Sequence, residues 1–220
     1  MNIKICGITT PEMGSQCFEA GADMIGLVHY EPSPRHLPLS SLQDICHAIR
    51  PFRQNGRHAV LVVADLTVEG ILRLLEKIDH AVDYVQLHGR YHCTEINRLA
   101  AALENSVALI QVIRDRETCS RLLRESDSEK THPIFLLEMA HGAMPGGNGT
   151  AWNWSDARTF CNRFPTFLAG GITSNNVSDA IARANPCGID VSSGVETSPG
   201  IKDRNKIVSF IETVRKENRS

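Results

Sequence analysis

The stretch HAVLVVADLTVEGILRLLEKIDHAVDYVQLHG, residues 58–89, decides the fold. It opens on an apolar run, HAVLVVA (58–64), passes through TVEGILRLLEKI (67–78) and ends in a second apolar run, VDYVQLHG (82–89). The middle piece is apolar at Val68, Ile71, Leu72, Leu74, Leu75 and Ile78, the spacing of one helical face. A strand, a helix and a second strand within about 30 residues form the unit that joins neighbouring parallel strands.

Six further runs have strand character: IKICGI (3–8), DMIGLVHY (23–30), VALIQVI (107–113), PIFLLE (133–138), TFLAGGI (166–172) and CGIDVSSGV (187–195). The eight starts are roughly 20 to 36 residues apart, room for a strand, a helix and two turns. CTEINRLAAAL (93–103), NNVSDAIARA (175–184) and KDRNKIVSFIETVRKE (202–217) supply helices, the second opening on asparagine caps. Strict alternation predicts a parallel sheet, and eight units in 220 residues predict closure into an α/β (β/α)8 TIM barrel. A doubly wound open sheet is the alternative, weakened by the absence of GxGxxG after the first strand. No break in composition or long linker divides the chain, so one domain over residues 1–220 is expected.

With 42% hydrophobic and 22% charged residues and a formal charge of −2, the chain has ordinary globular composition. Nothing in that balance favours nucleic acid or a membrane as partner. A phosphorylated small molecule needs no net positive charge, because backbone amides can hold it. The N-terminus does not read as a targeting peptide, and no run approaches the ~18 apolar residues of a membrane span, so a cytoplasmic location is expected. Cys6, Cys17, Cys46, Cys93, Cys119, Cys161 and Cys187 stand singly, without CxxC. An odd, scattered set argues against a disulfide framework or structural zinc and suggests mostly buried fillers.

In such barrels the chemistry lies where strands end. Cys6, His88, Glu138, Asp190 and Ser192 all interrupt or follow strand ends, and alternation puts Lys4 with Cys6 and Gln86 with His88 on common faces. LAGGITSNN (168–176) and DVSSGVE (190–196) present Gly170, Gly171, Ser192, Ser193 and Gly194 on the last two strands, where phosphate sites are common. GAMPGGNGTAWNW (142–154) suggests a mobile lid, with Asn153 capping the next helix and Trp152 and Trp154 packing. Arg35, in SPRH (33–36), offers a planar fork to a carboxylate or phosphate; a solvated surface arginine is the ordinary alternative.

KICGIT (4–9), GADMIGLVHYEPSPRHL (21–37), VQLHG (85–89), LLE…GGNG…W (136–154), LAGGI…NV (168–177) and DVSSGVE…PGIKD (190–203) together resemble the phosphoribosylanthranilate isomerase family of tryptophan biosynthesis, in family order. The resemblance implies an Amadori rearrangement of N-(5-phosphoribosyl)anthranilate to 1-(2-carboxyphenylamino)-1-deoxyribulose 5-phosphate, without metal or cofactor, by a monomer or homodimer. It implies that Cys6 is the general base, that Arg35 holds the anthranilate carboxylate, and that Gly170, Gly171, Ser192, Ser193 and Gly194 hold the phosphate. His88 lines the site. Lys4 is expected to favour the Cys6 thiolate, unless Asp190 neutralises it. The family's acid is an aspartate, and here that position is Glu138. GGNG replaces GGTG, WNW replaces FDW, and VVAD replaces a strand ending in Val-Asn. A paralogue that binds a phosphorylated sugar with altered substrate or little turnover is the alternative reading.

Overall fold

The structure, a computed structural model, describes residues 1–104, 106–125, 133–139 and 152–217. The elements run β1 (Asn2–Cys6), α1 (Pro11–Glu19), β2 (Met24–His29), α2 (Leu39–Arg53), β3 (His58–Val63), α3 (Val68–Lys77), β4 (Tyr84–Leu87) and α4 (Cys93–Ala102). They continue with β5 (Ala108–Ile113), α5 (Arg116–Glu125), β6 (Ile134–Leu137), α6 (Arg158–Arg163), β7 (Thr166–Leu168), α7 (Val177–Ala184) and β8 (Gly188–Val191). A short ribbon, β9 (Glu196–Ser198) and β10 (Ile201–Lys202), precedes α8 (Arg204–Glu217). β1 to β8 pair in sequence order, all parallel, and β8 closes on β1 with Lys4 opposite Asp190. The (β/α)8 barrel is therefore observed.

All eight expected strands are present, shorter than their apolar runs. The 166–172 and 187–195 runs leave the ladder after Leu168 and Val191, where glycines and serines replace β-forming residues. α3 shows why the central stretch folds as it does. Thr67 accepts from the Gly70 amide at 3.1 Å, capping the first turn, while Val68, Ile71, Leu74 and Leu75 are buried. Each buried aliphatic side chain contributes about 1.5–3 kcal/mol relative to exposure.

Alternation divides each strand between two cores. Ile3 and Ile5 of β1 pack outward under the helices, as do Leu61 and Val63 of β3. Met24, Val60, Val62, Ile110, Leu136 and Phe167 fill the barrel itself. The interior is thus a packed floor beneath the C-terminal mouth. The cysteines are less uniform than expected: Cys6, Cys17 and Cys46 are buried, Cys119 and Cys161 intermediate, and Cys93 and Cys187 exposed, all as free thiols. Cys93 opens α4 and Cys187 precedes β8, both at the surface of the outer layer.

Candidate active site

The inward-facing positions just above the apolar floor carry the polar set. Cys6, Arg35, Gln86, His88, Glu138, Asp190 and Ser192 line one cavity, joined by Tyr30 and the Pro32–Pro34 turn. A second hollow adjoins it, lined by Gly170, Gly171, Ser192 and Ser193, and shares Glu138, Asp190 and Ser192 with the first. Eight of the nine expected site residues thus surround one continuous depression. Gly194 lines neither hollow; a Cβ there would stand 2.0 Å from the Ile172 carbonyl, so its role is to let two loops touch.

At the β1–β8 seam, fully buried Lys4 donates to Asp190 at 2.9 Å. Burial opposes the lysine's charge, but Asp190 and Cys6 outweigh it and hold its pKa above the ordinary range. For Cys6 the balance goes the other way. Burial pushes its thiol up, Lys4 and Lys202 pull it down, Asp190 adds to the push, and the net pKa is raised. Lys4 favours the thiolate as expected, but its charge is shared with Asp190 and does not overcome desolvation. Gly26 makes room for the sulfur, since a Cβ there would lie 2.7 Å from Sγ.

Glu138 follows β6 and is anchored by its amide, which donates to Ile113 at 3.0 Å. Its Oε2 lies 3.4 Å from His88 Nε2. Burial first, then Arg114 and Lys4, lower the His88 pKa to about 4. The imidazole is therefore neutral near pH 7 and this contact is not an ion pair. Gln86 Nε2 stands 3.4 Å from Nδ1; with the amide as donor, the ring proton sits on Nε2, which lies near Glu138 without a hydrogen bond among the described residues.

Arg35 is buried, contrary to the solvated alternative. Its Nε and Nη2 donate to the two oxygens of Glu196 at 2.8 and 2.7 Å. Its stem lies across Gly7, where a Cβ would fall 2.3 Å from Cδ. Both residues of the Gly170–Gly171 turn have positive φ, 90° and 68°, which glycine adopts without a Cβ clash. Their amides take no part in the backbone bonding among the described residues. Asn176 was expected to cap α7, but its side chain makes no cap bond. It folds back instead, accepting from Thr173 N at 2.8 Å and donating to Gly171 O at 2.9 Å. Trp152 donates to Ala169 O at 2.9 Å from behind the same turn.

Asn153 precedes a 3-10 turn at Trp154–Ala157 and makes no capping bond; its amide lies 3.3 Å from Asp156 instead. Trp152 and Trp154 are both buried in the outer core. The expected lid, residues 142–154, falls outside the described residues up to position 151, as does GGNG. The DVSSGVE…PGIKD motif also contains Glu196 and Lys202, to which sequence reasoning assigns no role. Both are buried and joined at 2.6 Å. Their signal in the sequence is weak: a carboxylate and an amine six residues apart across a Ser-Pro-Gly turn.

The family model described as N-(5'phosphoribosyl)anthranilate (PRA) isomerase matches residues 3–213. An N-(5'-phosphoribosyl)anthranilate isomerase of Desulfatibacillum aliphaticivorans is 38% identical over 214 residues, covering 96% of this chain and 92% of the relative. A crystal structure of phosphoribosyl anthranilate isomerase from Thermotoga maritima superposes with a TM-score of 0.83 at 29% identity, covering 98% of this chain and 99% of that one. A further phosphoribosyl anthranilate isomerase structure, in complex with reduced 1-(o-carboxyphenylamino)-1-deoxyribulose 5-phosphate, gives a TM-score of 0.80 at 28% identity, with 98% and 99% coverage.

Proposed function

The chain belongs to the N-(5'phosphoribosyl)anthranilate (PRA) isomerase family, and from that premise we propose how its own residues carry the reaction. Its activity is the isomerisation of N-(5'-phosphoribosyl)anthranilate in tryptophan biosynthesis. One observation supports the assignment of roles best: Cys6 and Glu138 line a single cavity that has Arg35 on one side and the Gly170–Gly171 and Ser192–Ser193 loops on the other.

Arg35 holds the anthranilate carboxylate with the edge of its guanidinium that Glu196 leaves open. The glycine and serine loops, with Gly194 behind them, hold the phosphate through backbone amides. Glu138, protonated, gives its proton to the furanose ring oxygen as the C1–O bond breaks and the anilino nitrogen completes a Schiff base. Cys6, as thiolate, then takes the proton from C2, and the electron pair returns to the iminium nitrogen. The resulting enol loses its hydroxyl proton and gains one at C1, which gives the ketone. Two protons are added, at the ring oxygen and C1, and two are removed, from C2 and the enol hydroxyl, so acid–base chemistry suffices. Neutral His88 stabilises the Glu138 carboxylate left after proton transfer through Nε2–H.

The raised pKa of Cys6 has a kinetic consequence. The thiolate is the minor form near neutrality, so the rate of Cys6 alkylation, which depends on the thiolate alone, should climb as pH rises above 7. The primary test is to generate phosphoribosylanthranilate in situ and follow loss of its fluorescence on adding the protein. Turnover by the parent that disappears in Cys6→Ala and Glu138→Ala, with phosphate binding intact in both, is expected. Persistent turnover in either variant overturns that residue's role. The binding paralogue with little turnover is not favoured, because match and relatives span nearly the whole chain.

The ligand is a phosphorylated small molecule, with no role for nucleic acid or membrane. No described helix is long and apolar enough to cross a bilayer. The chain acts as one domain, residues 1–220, in the cytoplasm, as a monomer or homodimer.

A further inference from the structure

Three buried charges near the mouth take no part in the proton transfers. β9 and β10 pair antiparallel with Lys202 opposite Glu196. Lys202 Nζ donates to Glu196 Oε1 at 2.6 Å, to Ser192 O at 3.1 Å and to Ser192 Oγ at 3.2 Å. Glu196 in turn receives both Nε and Nη2 of Arg35. Side-chain exposure is 11% for Arg35, 4% for Glu196 and 0% for Lys202. Burying such groups costs several kcal/mol per ion, and apolar side chains of similar volume would usually stabilise the fold as well. A cluster with one surplus positive charge, bonded at one end to the carboxylate-facing arginine and at the other to a phosphate-loop serine, is therefore better explained by the ligand than by the fold.

We propose that Glu196 and Lys202 are positioning residues that fix the distance between the two anion subsites, and so select a ligand carrying a carboxylate and a phosphate at one set separation. The proposal rests on the reaction assigned above. Glu196 occupies the side-on edge of Arg35 and leaves the end-on edge, Nη1 with the second Nη2 hydrogen, facing the substrate. Lys202 holds the Ser192 backbone, which belongs to both hollows. The Pro32–Pro34 turn that carries Arg35 is braced from the same side: the Gly200 carbonyl accepts from Thr9 at 2.9 Å, and a Cβ on Gly200 would lie 2.7 Å from Pro34 O. The loops after β1, β2 and β8 thus form one frame. A ligand with two charged ends gains from both only when its span matches the frame.

Glu196→Gln separates this role from a bulk electrostatic or structural one. Removing the carboxylate takes a negative charge away from two anion subsites, so inorganic phosphate and free anthranilate should bind as tightly as to the parent, or tighter. The reduced 1-(o-carboxyphenylamino)-1-deoxyribulose 5-phosphate, which spans both subsites, should bind ~10-fold or more weakly, because the subsites no longer hold their separation. Opposite signs for fragments and whole ligand, measured by calorimetry, are the expected result. Fragments and analogue both tighter would leave only an electrostatic role and overturn the proposal. All three weaker, with a lower melting temperature, would leave only a structural role and also overturn it. If Glu196→Gln does not fold, Glu196→Asp keeps the charge and shortens the bridge: the fragments should bind as to the parent and the analogue more weakly, and fragments and analogue changing together overturn the proposal. Turnover of phosphoribosylanthranilate by the parent is measured alongside: its absence fails the assigned reaction, whereas its presence with parallel changes in the variant fails the frame alone.

Discussion

The two halves of the mouth are built differently. On the β1–β2–β8 side every charge is locked to a partner: Lys4 to Asp190, and Arg35 and Lys202 to Glu196. On the β4–β6 side the contacts are longer, with a neutral His88 lying 3.4 Å from both Gln86 and Glu138 and Arg114 near enough to lower its pKa. The locked half contains the proposed base, the proposed carboxylate site and one of the two proposed phosphate loops; the looser half contains the proposed acid. That contrast suggests why Glu can stand where the family has aspartate. An extra methylene inside a bonded ion cluster would break its geometry, whereas beside an uncharged imidazole it can be absorbed by a side-chain rotation.

The sharpest way to break the comparison is chemical. Cys6→Ser and Glu138→Gln should each lower kcat by about 10³–10⁴-fold, the upper range for a general base or acid, with folded protein retained. A loss confined to one of them would mean that a single half carries the chemistry. Next comes the locked seam. Lys4→Met leaves Asp190 buried without its partner and should cost about 3–5 kcal/mol in urea unfolding. It should also raise the Cys6 pKa further, since the cation that lowers it is gone and Asp190 is unmasked. The pH dependence of alkylation at Cys6 reads that shift, and a fall in the pKa would show that Lys4 does not favour the thiolate.

On the looser side the expected effect is on acid stability. His88 has a pKa of about 4 when folded, below the ordinary value near 6.5, so the unfolded chain takes up its proton first as pH falls. Folding stability is unaffected by this group above pH 6.5 and drops between pH 6.5 and 4, by roughly 3 kcal/mol in all. His88→Asn should flatten that acid limb, as followed by unfolding midpoints across the range. The smallest change is expected from Glu138→Asp. It withdraws the carboxyl from His88 by one carbon–carbon bond and should lower kcat/KM by less than the ~10²-fold that a 1 Å misplacement can cost. Faster turnover than the parent would instead mark the longer side chain as the impaired form.

The legible parts of this molecule are the periodic ones. The run 58–89 shows its strand, helix and strand as a change of period, and the alternation of Lys4–Cys6 and Gln86–His88 survives folding because side-chain direction follows from the local backbone. Gly170, Gly171 and Ser192 are legible as turn positions for a related reason: small residues straight after a strand leave few conformations other than a turn. Asn176 and Asn153 were misread as caps, since an asparagine before a helix can cap it or brace a neighbouring loop equally well. Glu196 and Lys202 went without a role because nothing local marks an exposed-type residue as buried.

The sequence by itself determined the repeating unit, the face each inward residue occupies and the family to which the motifs point. Tertiary structure alone decided the partners. Lys4 meets Asp190 across 186 positions, and Arg35 meets Glu196 across 161. It also decided the sign of the Cys6 shift. Periodicity is set within a few residues of chain, whereas ion pairing and desolvation depend on which groups the closed barrel brings within a few ångströms and how much water it removes from around them.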